Sequence, residues 1–265
     1  MSAYTAYRVG SPLALDGSLS DPAWQRAPKS ERFVDMATGE PALLDTRCAA
    51  LWDDENLYVG FWVEEPYPAA RQTERDSLIF RENDVEVFID GGDCYYEFEL
   101  NALNTVYEVF FIWRDAYAKG GRFDLPEFDV HEREAYTFGG NFDRTEEYFW
   151  KGTNPRGVRW AFLDWDFPGL QTAVHIDGAL NDRSQPSKGW TAMLIFPWAG
   201  MRHLAGSRSL PPEDGDVWRL FLGRFQKLAV GESQVQAAWC LSPHGVYDTH
   251  MPEKFTPVRF SRETV

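Results

Sequence analysis

The side chains best placed to do chemistry lie in residues 81–113, RENDVEVFIDGGDCYYEFELNALNTVYEVFFIW. This stretch brings Glu86, Glu97, Glu99 and Asn101 close to several aromatic residues. Carboxylate and amide oxygens accept hydrogen bonds from hydroxyl groups, and aromatic faces suit the apolar faces of a sugar ring. The combination favours a binding site for a polar, ring-shaped ligand. The simpler alternative is the solvated face of a sheet.

Paired carboxylates also raise the alternative of glycoside hydrolysis, which uses two carboxyl groups on either side of the scissile bond. Glu86, Glu97, Glu99 and Glu134 could supply such a pair. The chain has 41 Asp and Glu residues, so close pairs are expected by chance, and we rank hydrolysis below binding.

Other catalytic chemistry has little support in the sequence. There is no GxSxG, no HExxH and no glycine loop of the phosphate-binding type, and the five histidines are scattered. The three cysteines, Cys48, Cys94 and Cys240, are widely spaced and form no CxxC pair. They therefore indicate neither a zinc site nor a disulfide framework. We assign no catalytic residue and no metal ligand.

The charge balance limits the classes of partner. With 26 Lys and Arg against 41 Asp and Glu, the formal net charge is -15. Such a charge repels a phosphate backbone and an anionic membrane surface. We therefore expect no nucleic acid and no membrane as partners, whereas neutral ligands and cations stay open. The sequence does not indicate an oligomeric state.

The N-terminus gives an expectation about localisation. It has no basic region followed by an apolar run, and no apolar stretch in the chain is long enough to span a bilayer. We expect a cytoplasmic protein, or an extracellular one if a signal segment has been removed.

Alternating patterns predict short β-strands along most of the chain. Thr46–Trp52 and Leu57–Glu64 read as a hairpin that turns at the sequence DDEN. Three more strands follow within residues 81–113. In the middle one, Tyr96, Phe98 and Leu100 share one face, and the other face contains two carboxylates and an amide. That polar face is either solvated or the floor of a cleft.

The overall fold predicted is all-β: a two-sheet antiparallel β-sandwich of the jelly-roll or immunoglobulin-like kind. Residues 1–265 are expected to form one domain, with a loop-rich insert at about residues 114–158 that could wall a site. The Phe-Pro-Trp sequence at residues 196–198 predicts the end of a strand and the start of a short helix. We expect four tryptophans in the core: Trp52, Trp190, Trp198 and Trp218.

The order of motifs resembles carbohydrate-binding module family 9 in its stand-alone form. The matching segments are LDGSLSDPAWQRAP, LWDDENLYVGFWVEEP, ENDVEVFID, YYEFELNALNTVYEVFF, GWTAMLIFPW, WRLFLGRFQ and HMPEKFTPVRF. The resemblance implies a jelly-roll-like sandwich and a non-catalytic protein that holds the end of a saccharide between two aromatic rings. It does not extend to the insert at residues 114–158.

The resemblance also implies roles for single residues. Glu86 matches the glutamate of the family's acidic strand, and Asn101 matches the asparagine at the end of the next strand. Glu99 stands where a basic residue can occur, which leaves the sugar specificity open. Phe80 occupies the place of one stacking ring, where a Trp would stack better. The second ring is unassigned among Trp113, Trp150 and Trp239.

The predicted carbohydrate site consists of Phe80, Asn83, Glu86, Glu99, Asn101, Trp113, Trp239 and His250. Structural roles are the alternative for each: Asn101 as a turn residue and Phe80 as a core residue, for example. We expect no cofactor, although the family can bind calcium structurally. Oxygens of Asp53, Asp54, Asp90 or Asp93 would suit that ion. A degenerate module that binds a protein is a further alternative.

Overall fold

The computed structural model describes residues 3–139, 154–230 and 233–265. Strands dominate these ranges, and the all-β prediction is confirmed. The strands are β1 (Tyr4–Arg8), β2 (Val34–Asp35), β3 (Thr46–Trp52), β4 (Asn56–Glu64), β5 (Asp84–Asp90), β6 (Cys94–Asn101), β7 (Val106–Trp113), β8 (Ala135–Phe138), β9 (Arg159–Phe162), β10 (Gln171–Asp177), β11 (Gly189–Pro197), β12 (Val217–Val230), β13 (Ser233–Cys240) and β14 (Thr256–Thr264). The short helices are α1 (Pro22–Arg26) and α2 (Arg202–Ala205). Within the described ranges, no helix is long and apolar enough to cross a membrane.

The predicted hairpin is present as β3 and β4, with β4 beginning one residue early at Asn56. Asp53 closes its turn: one carboxylate oxygen accepts the backbone N–H groups of Glu55 and Asn56, each at 2.8 Å. The other oxygen accepts the Tyr58 hydroxyl at 2.6 Å. This arrangement is the Asx turn that the DDEN sequence favours.

Hydrogen bonding runs continuously through the strands in the order β10-β11-β4-β3-β1-β14-β12-β5-β6-β7-β9-β8. Pairing is antiparallel throughout this path except at β1, which runs parallel to both β14 and β3. The path folds back on itself. The strands β6 and β11 are far apart in this order, yet the rings of Phe98 in β6 and Phe196 in β11 lie 5.6 Å apart. Two sheet halves therefore enclose a common core.

Side chains alternate between the two faces of each strand, and those on the inner face fill that core. Tyr96, Phe98 and Leu100 lie in it, as predicted from their shared face. The Phe-Pro-Trp prediction also holds: β11 ends at Pro197, and a short 3-10 helix and α2 follow. The four tryptophans predicted to be core residues all belong to it: Trp52, Trp190, Trp198 and Trp218.

The outer face of the β3–β4 half is covered by α1. Asp21 caps this helix by accepting the backbone N–H of Ala23 at 2.8 Å. Trp24 of α1 is fully buried over Gly60 of β4. A Cβ atom at Gly60 would lie 3.0 Å from the Trp24 ring, so the glycine permits the close approach.

The outer face of β5, β6 and β7 is buried as well. Every residue of β6 and β7 is buried, including those that point away from the central core. On this outer face Phe88, Tyr95, Phe111 and Trp113 pack in a second cluster. A solvated polar face is therefore not what the structure shows here, and the carboxylates of this face need another explanation.

The insert at residues 114–158 is more regular than predicted. It contains β8 and a short 3-10 helix at Pro126–Phe128. β8 pairs with β9, and β9 pairs with β7, so part of the insert extends the sheet beyond β7. Trp150, a candidate for the second stacking ring, lies outside the described residues.

Candidate functional site

A cavity of about 360 Å³ lies on the outer face of β5, β6 and β7. Three carboxyl groups line it, those of Glu86, Glu97 and Glu99. Aromatic side chains from several elements form the rest of the wall: Phe80, Tyr107, Phe111, Tyr136, Phe138, Phe225 and Tyr247. Aromatic walls around a few converging polar groups are typical of sites for small polar ligands.

Strand register brings the carboxylates together. Glu86 of β5 stands directly opposite Glu99 of β6, and Tyr107 of β7 stands opposite Glu99 on its other side. Glu97 is two residues from Glu99, so it points to the same face. The predicted assignment of Glu97 and Glu99 to one face of the strand is thus confirmed, and that face lines a cavity.

Burial leaves part of these carboxyl groups without partners. Asp84, Glu86 and Glu99 are at most 2% exposed, and one oxygen from each lies within 4.8 Å of the others. Among the described residues, Oδ2 of Asp84, Oε2 of Glu86 and Oε2 of Glu99 have no hydrogen-bond partner. Buried polar atoms normally have partners, so these oxygens point to a missing ligand or a shared proton.

Burial and mutual repulsion raise the pKa of each of these groups. For Glu86, burial is the largest cause of the raised pKa, and the charges of Asp84 and Glu97 add to it. For Glu99 the order is the same, with Glu86 as the first charged neighbour. Burial raises the pKa of Glu97 to about 8, although Arg159 opposes the shift. Burial therefore favours the protonated forms of these carboxyls, which can both donate and accept hydrogen bonds.

His250 forms part of the wall in its neutral form. Burial, followed by the nearby charge of Arg159, lowers its pKa well below the usual value. The Nδ1 atom lies 3.1 Å from the Tyr95 hydroxyl, and Nε2 lies 4.0 Å from Oε1 of Glu97. Arg159 donates to the backbone oxygen of His250 at 2.6 Å. His250 is held in place beside the carboxylates.

Four of the eight predicted residues line this cavity: Phe80, Glu86, Glu99 and His250. The other four do not. Asn83 points elsewhere: its amide donates to Glu65 at 2.5 Å and accepts the backbone N–H of Lys227 at 2.8 Å.

Asn101 is a turn residue. Its oxygen accepts the backbone N–H groups of Leu103 and Thr105, each at 2.9 Å. Its amide nitrogen donates to the oxygens of Gln72 and Glu82, each at 2.9 Å. The side chain is completely buried, so these partners occupy it. Of the two roles weighed from the sequence, the structure shows the turn.

The two predicted tryptophans lie outside the cavity for different reasons. Trp113 is on the correct face of β7 but two residues beyond Phe111, and its ring packs 4.5 Å from the Arg159 guanidinium. Trp239 pairs with Arg224 and points into the central core. Its neighbour Ala238 takes the outer face instead.

Several lining residues were missed from the sequence. Tyr107 and Phe111 could have been found, because the hairpin register after the NALN turn places them beside Glu99 and Tyr95. Phe138 comes from the insert and Tyr247 from the loop before β14. Those two have no local pattern that predicts their position.

A second groove, of about 470 Å³, is more open and lies beside β4 and β11. Four of its charged groups form ion pairs, Arg47 with Asp45 at 3.1 Å and Lys188 with Asp177 at 3.0 Å. It contains Trp62 but none of the predicted site residues. We therefore place the candidate site at the cavity over Glu86 and Glu99.

The loop aspartates considered for calcium have protein partners. Both oxygens of Asp53 are used in its turn. Asp54 pairs with Arg8, and Asp93 pairs with Arg156 at 2.9 Å. Asp90 accepts the backbone N–H of Gly92 at 2.8 Å. These residues do not fit a shared calcium site.

The buried carboxyl groups of Asp84, Glu86 and Glu99 are better arranged to bind a cation than these loop aspartates. Together these three groups offer three oxygens of the kind that hard cations prefer. Calcium there would be held by these carboxylates and would neutralise their charge. It stays a proposal that a chelator can test.

Comparison with known proteins relates part of the chain to one family. Residues 15–110 match the model of the family described as carbohydrate family 9 binding domain-like. The matched range contains five of the predicted site residues: Phe80, Asn83, Glu86, Glu99 and Asn101. The comparison with curated proteins found no significant match.

Solved structures share the whole fold. A family 9 carbohydrate-binding module from Caldicellulosiruptor kristjanssonii in complex with cellotriose is 13% identical, with a TM-score of 0.53, 98% of this chain covered and 95% of that chain. Its glucose complex is 12% identical, with a TM-score of 0.53 and coverage of 98% and 97%. A protein from Bacteroides uniformis is 14% identical, with a TM-score of 0.54 and coverage of 98% and 100%.

These identities are low enough that the structural likeness shows the fold alone. The predicted resemblance to family 9 is confirmed over residues 15–110, and the chain has the fold of these modules.

Proposed function

We propose that this protein binds a saccharide in the cavity over Glu86, Glu97 and Glu99, and that it does not cleave the ligand. One observation supports this most directly: buried carboxyls with unpartnered oxygens line a cavity whose walls are aromatic. The carboxyls would take the sugar hydroxyls, and the rings would cover its apolar faces. Both features lie within the fold of a sugar-binding family.

The arrangement of the carboxyls favours binding over hydrolysis. Glycosidases place their two carboxyl groups on either side of the scissile bond. Here Glu86 and Glu99 are direct neighbours across two strands, and Glu97 is next to them on the same floor. Glu134, the other candidate, is exposed and does not line the cavity. Among the described residues, the wall opposite the floor contributes no carboxyl group.

The ring that covers the sugar is the easiest part of the proposal to test. Tyr136 is 56% exposed and lines the cavity, whereas Tyr67 is 43% exposed and lies outside it. The Tyr136→Ala variant should lose about tenfold in affinity for the best-bound saccharide, as expected for an aromatic contact with a ring. The Tyr67→Ala variant, its matched control, should bind as the unmodified protein does.

Calorimetric titration with mono- and oligosaccharides, combined with product analysis of the same mixtures, is the measurement. Heat without products supports the proposal, and products would replace it with hydrolysis. Equal affinities for Tyr136→Ala and Tyr67→Ala would remove the cavity as the site. Neither heat nor products across the panel would favour a degenerate module with a protein partner.

A further inference from the structure

The charge of the cavity is unusual for a site that takes a neutral sugar. Its lining contains three carboxyl groups and, among the described residues, no Lys or Arg side chain. Asp84 adds a fourth carboxyl just behind the floor. Glu86 and Glu99 have only acidic charged neighbours: Asp84, Glu97 and each other. The basic groups nearest to the cavity lie outside its lining.

Three arginines lie near the carboxyl groups without entering the cavity lining: Arg159, Arg81 and Arg224, the last of which opposes the raised pKa of Asp84. Arg159 is buried beneath Trp113 and acts on Glu97, which it partly neutralises. Arg81 lies at the rim, 5.7 Å from the Phe80 ring. None of the three is among the charged groups that act on Glu86 or Glu99, so these two carboxyls lack a basic partner in the described part of the chain.

Resting on the proposed function, we propose that the saccharide bound here has a free, protonated amine, and that its ammonium group lies on the carboxylates of Asp84, Glu86 and Glu99. The chemical class is an amino sugar that is not N-acetylated.

The number of donors and acceptors agrees with this assignment. An ammonium group has three N–H donors, and each of the three carboxyls has one oxygen without a partner in the described part of the chain. Charge-assisted bonds of about 2.8 Å in a tetrahedral arrangement place their acceptors about 4.6 Å apart. One oxygen of each carboxyl, bonded or unbonded, lies within 4.8 Å of the others, a spacing compatible with three such bonds.

The walls also suit an ammonium group. A cation close to aromatic faces is attracted by their negative π surface, and the attraction is greater where water is excluded. Phe80 and Tyr107 border the carboxylates, and their rings lie 5.7 Å apart. Calcium would need six to eight oxygen ligands, so second carboxylate oxygens or water would have to complete its shell, whereas an ammonium group needs only three acceptors and tolerates aromatic walls. The ammonium group therefore fits better than the metal ion.

Binding of an amine should expel protons. Burial raises the pKa of Glu86 and Glu99, which favours their protonated forms before a ligand binds. An ammonium ligand stabilises their charged forms and lowers those pKa values. Protons then leave the site and are taken up by the buffer. A neutral saccharide would hydrogen-bond to the protonated carboxyls and would release none.

The experiment compares three trimers with the same linkage by calorimetry at about pH 6: β-1,4-linked glucosamine, its N-acetylated counterpart and cellotriose. The glucosamine trimer should bind about tenfold or more tightly than either neutral trimer. Its heat should also differ between two buffers of different ionisation enthalpy, and the heats of the neutral trimers should not.

The variant Glu99→Gln keeps the side-chain volume and removes one charge. It should reduce the preference for the glucosamine trimer to below about threefold, and Glu86→Gln serves if Glu99→Gln does not fold. Glu263→Gln is the matched control, because Glu263 is exposed on β14 far from the cavity lining and loses the same charge. The control should keep the full preference.

Four results would overturn the inference. If cellotriose binds as tightly as the glucosamine trimer, the amine plays no part in recognition, and the proposed function is unaffected. If cellotriose binds only with added calcium and the binding disappears with chelator, the cation on the carboxylates is a metal ion and not an ammonium group. An unchanged preference in folded Glu99→Gln would place the amine elsewhere. No binding of any trimer by the folded protein would remove both proposals together.

Discussion

Glu99 is the residue that most determines the character of the cavity. It stands opposite Glu86 on one side and Tyr107 on the other, and it is almost completely buried. A basic residue at this position would neutralise Glu86 and leave a polar floor of low charge. A glutamate instead places a third buried carboxyl group beside Glu86 and Glu97 under an aromatic wall. We therefore expect this side chain to influence which ligands the proposed site accepts.

Glu97 provides a pH-dependent test at this scale. Its pKa is raised from 4.5 to about 8, chiefly by burial. A carboxyl whose pKa is raised on folding contributes full stability below about pH 4.5, and that contribution is lost as the pH rises to about 8. Between about pH 5 and 8, the protein should lose on the order of 3 kcal/mol more unfolding free energy than Glu97→Gln does.

Denaturant titrations at several pH values measure this difference. The titratable and charged groups near Glu97 are Asp84, Glu86, Glu99, Arg159, Asp248 and, at 4.0 Å, the neutral His250. The pKa of Glu99 is raised as well, so the unfolding free energy of a Glu97→Gln and Glu99→Gln double variant should depend on pH even less. Parallel curves for the protein and Glu97→Gln would show that Glu97 is ionised in the folded state.

At the scale of the elements, the β5–β6–β7 sheet supplies the floor and the segments around it supply the walls. The strands position Glu86, Glu99 and Tyr107 through backbone register, which is rigid. Phe138 from β8 and Tyr247 from the loop before β14 close the sides. Sites on strands are held more accurately than sites on loops, so the charged floor should be the part that sets specificity.

The turn between β6 and β7 allows a test of whether a residue that stabilises the fold also contributes to ligand binding. Asn101 has four hydrogen-bond partners in and around this turn and is completely buried. Asn101→Ala should lower the unfolding free energy by about 2–3 kcal/mol, because buried backbone donors lose their acceptor. Saccharide affinity of the folded fraction should change by less than about twofold, since the side chain does not line the cavity.

Leu103→Ala in the same turn is the control, because Leu103 is 38% exposed and its change should cost no more than about 0.5 kcal/mol. Thermal or denaturant unfolding measures the first effect and calorimetric titration the second. A large loss of affinity in folded Asn101→Ala would return this residue to the binding site.

At the scale of the whole molecule, the net charge of -15 surrounds a cavity that is itself acidic. Such a field raises the rate at which a cationic ligand arrives, and salt screens it: the Debye length falls from about 30 Å at 0.01 M to about 10 Å at 0.1 M. The association rate of the glucosamine trimer should therefore fall several-fold over this range, and that of cellotriose should not.

Stopped-flow measurements on the intrinsic tryptophan fluorescence can follow both ligands, because the chain contains 11 Trp. Equal salt dependence for the two trimers would mean that the overall charge plays no part in recognition.

The pairing of strands from both ends of the chain supports the proposal of one domain. β1 pairs with β14, so the first and last strands meet in the middle of the sheet order. We expect a single cooperative unfolding transition, coincident by circular dichroism and tryptophan fluorescence. Two separate transitions would divide the chain into independent units.

The sequence by itself determined the all-β class, the hairpin of β3 and β4, and the opposite faces of β6, because a side-chain period of two is a local property. It also identified Phe80, Glu86, Glu99 and His250, which line the cavity. Their alternation and motif order are visible without any tertiary contact.

Only the tertiary structure decided which residues reach the cavity. Asn101 is used by its own turn, and Trp239 faces the core because it is one residue out of phase with Ala238. Phe138 and Tyr247 arrive from segments far away in sequence. Strand order, register and the path of loops between strands depend on packing over long distances, and no local pattern contains that information.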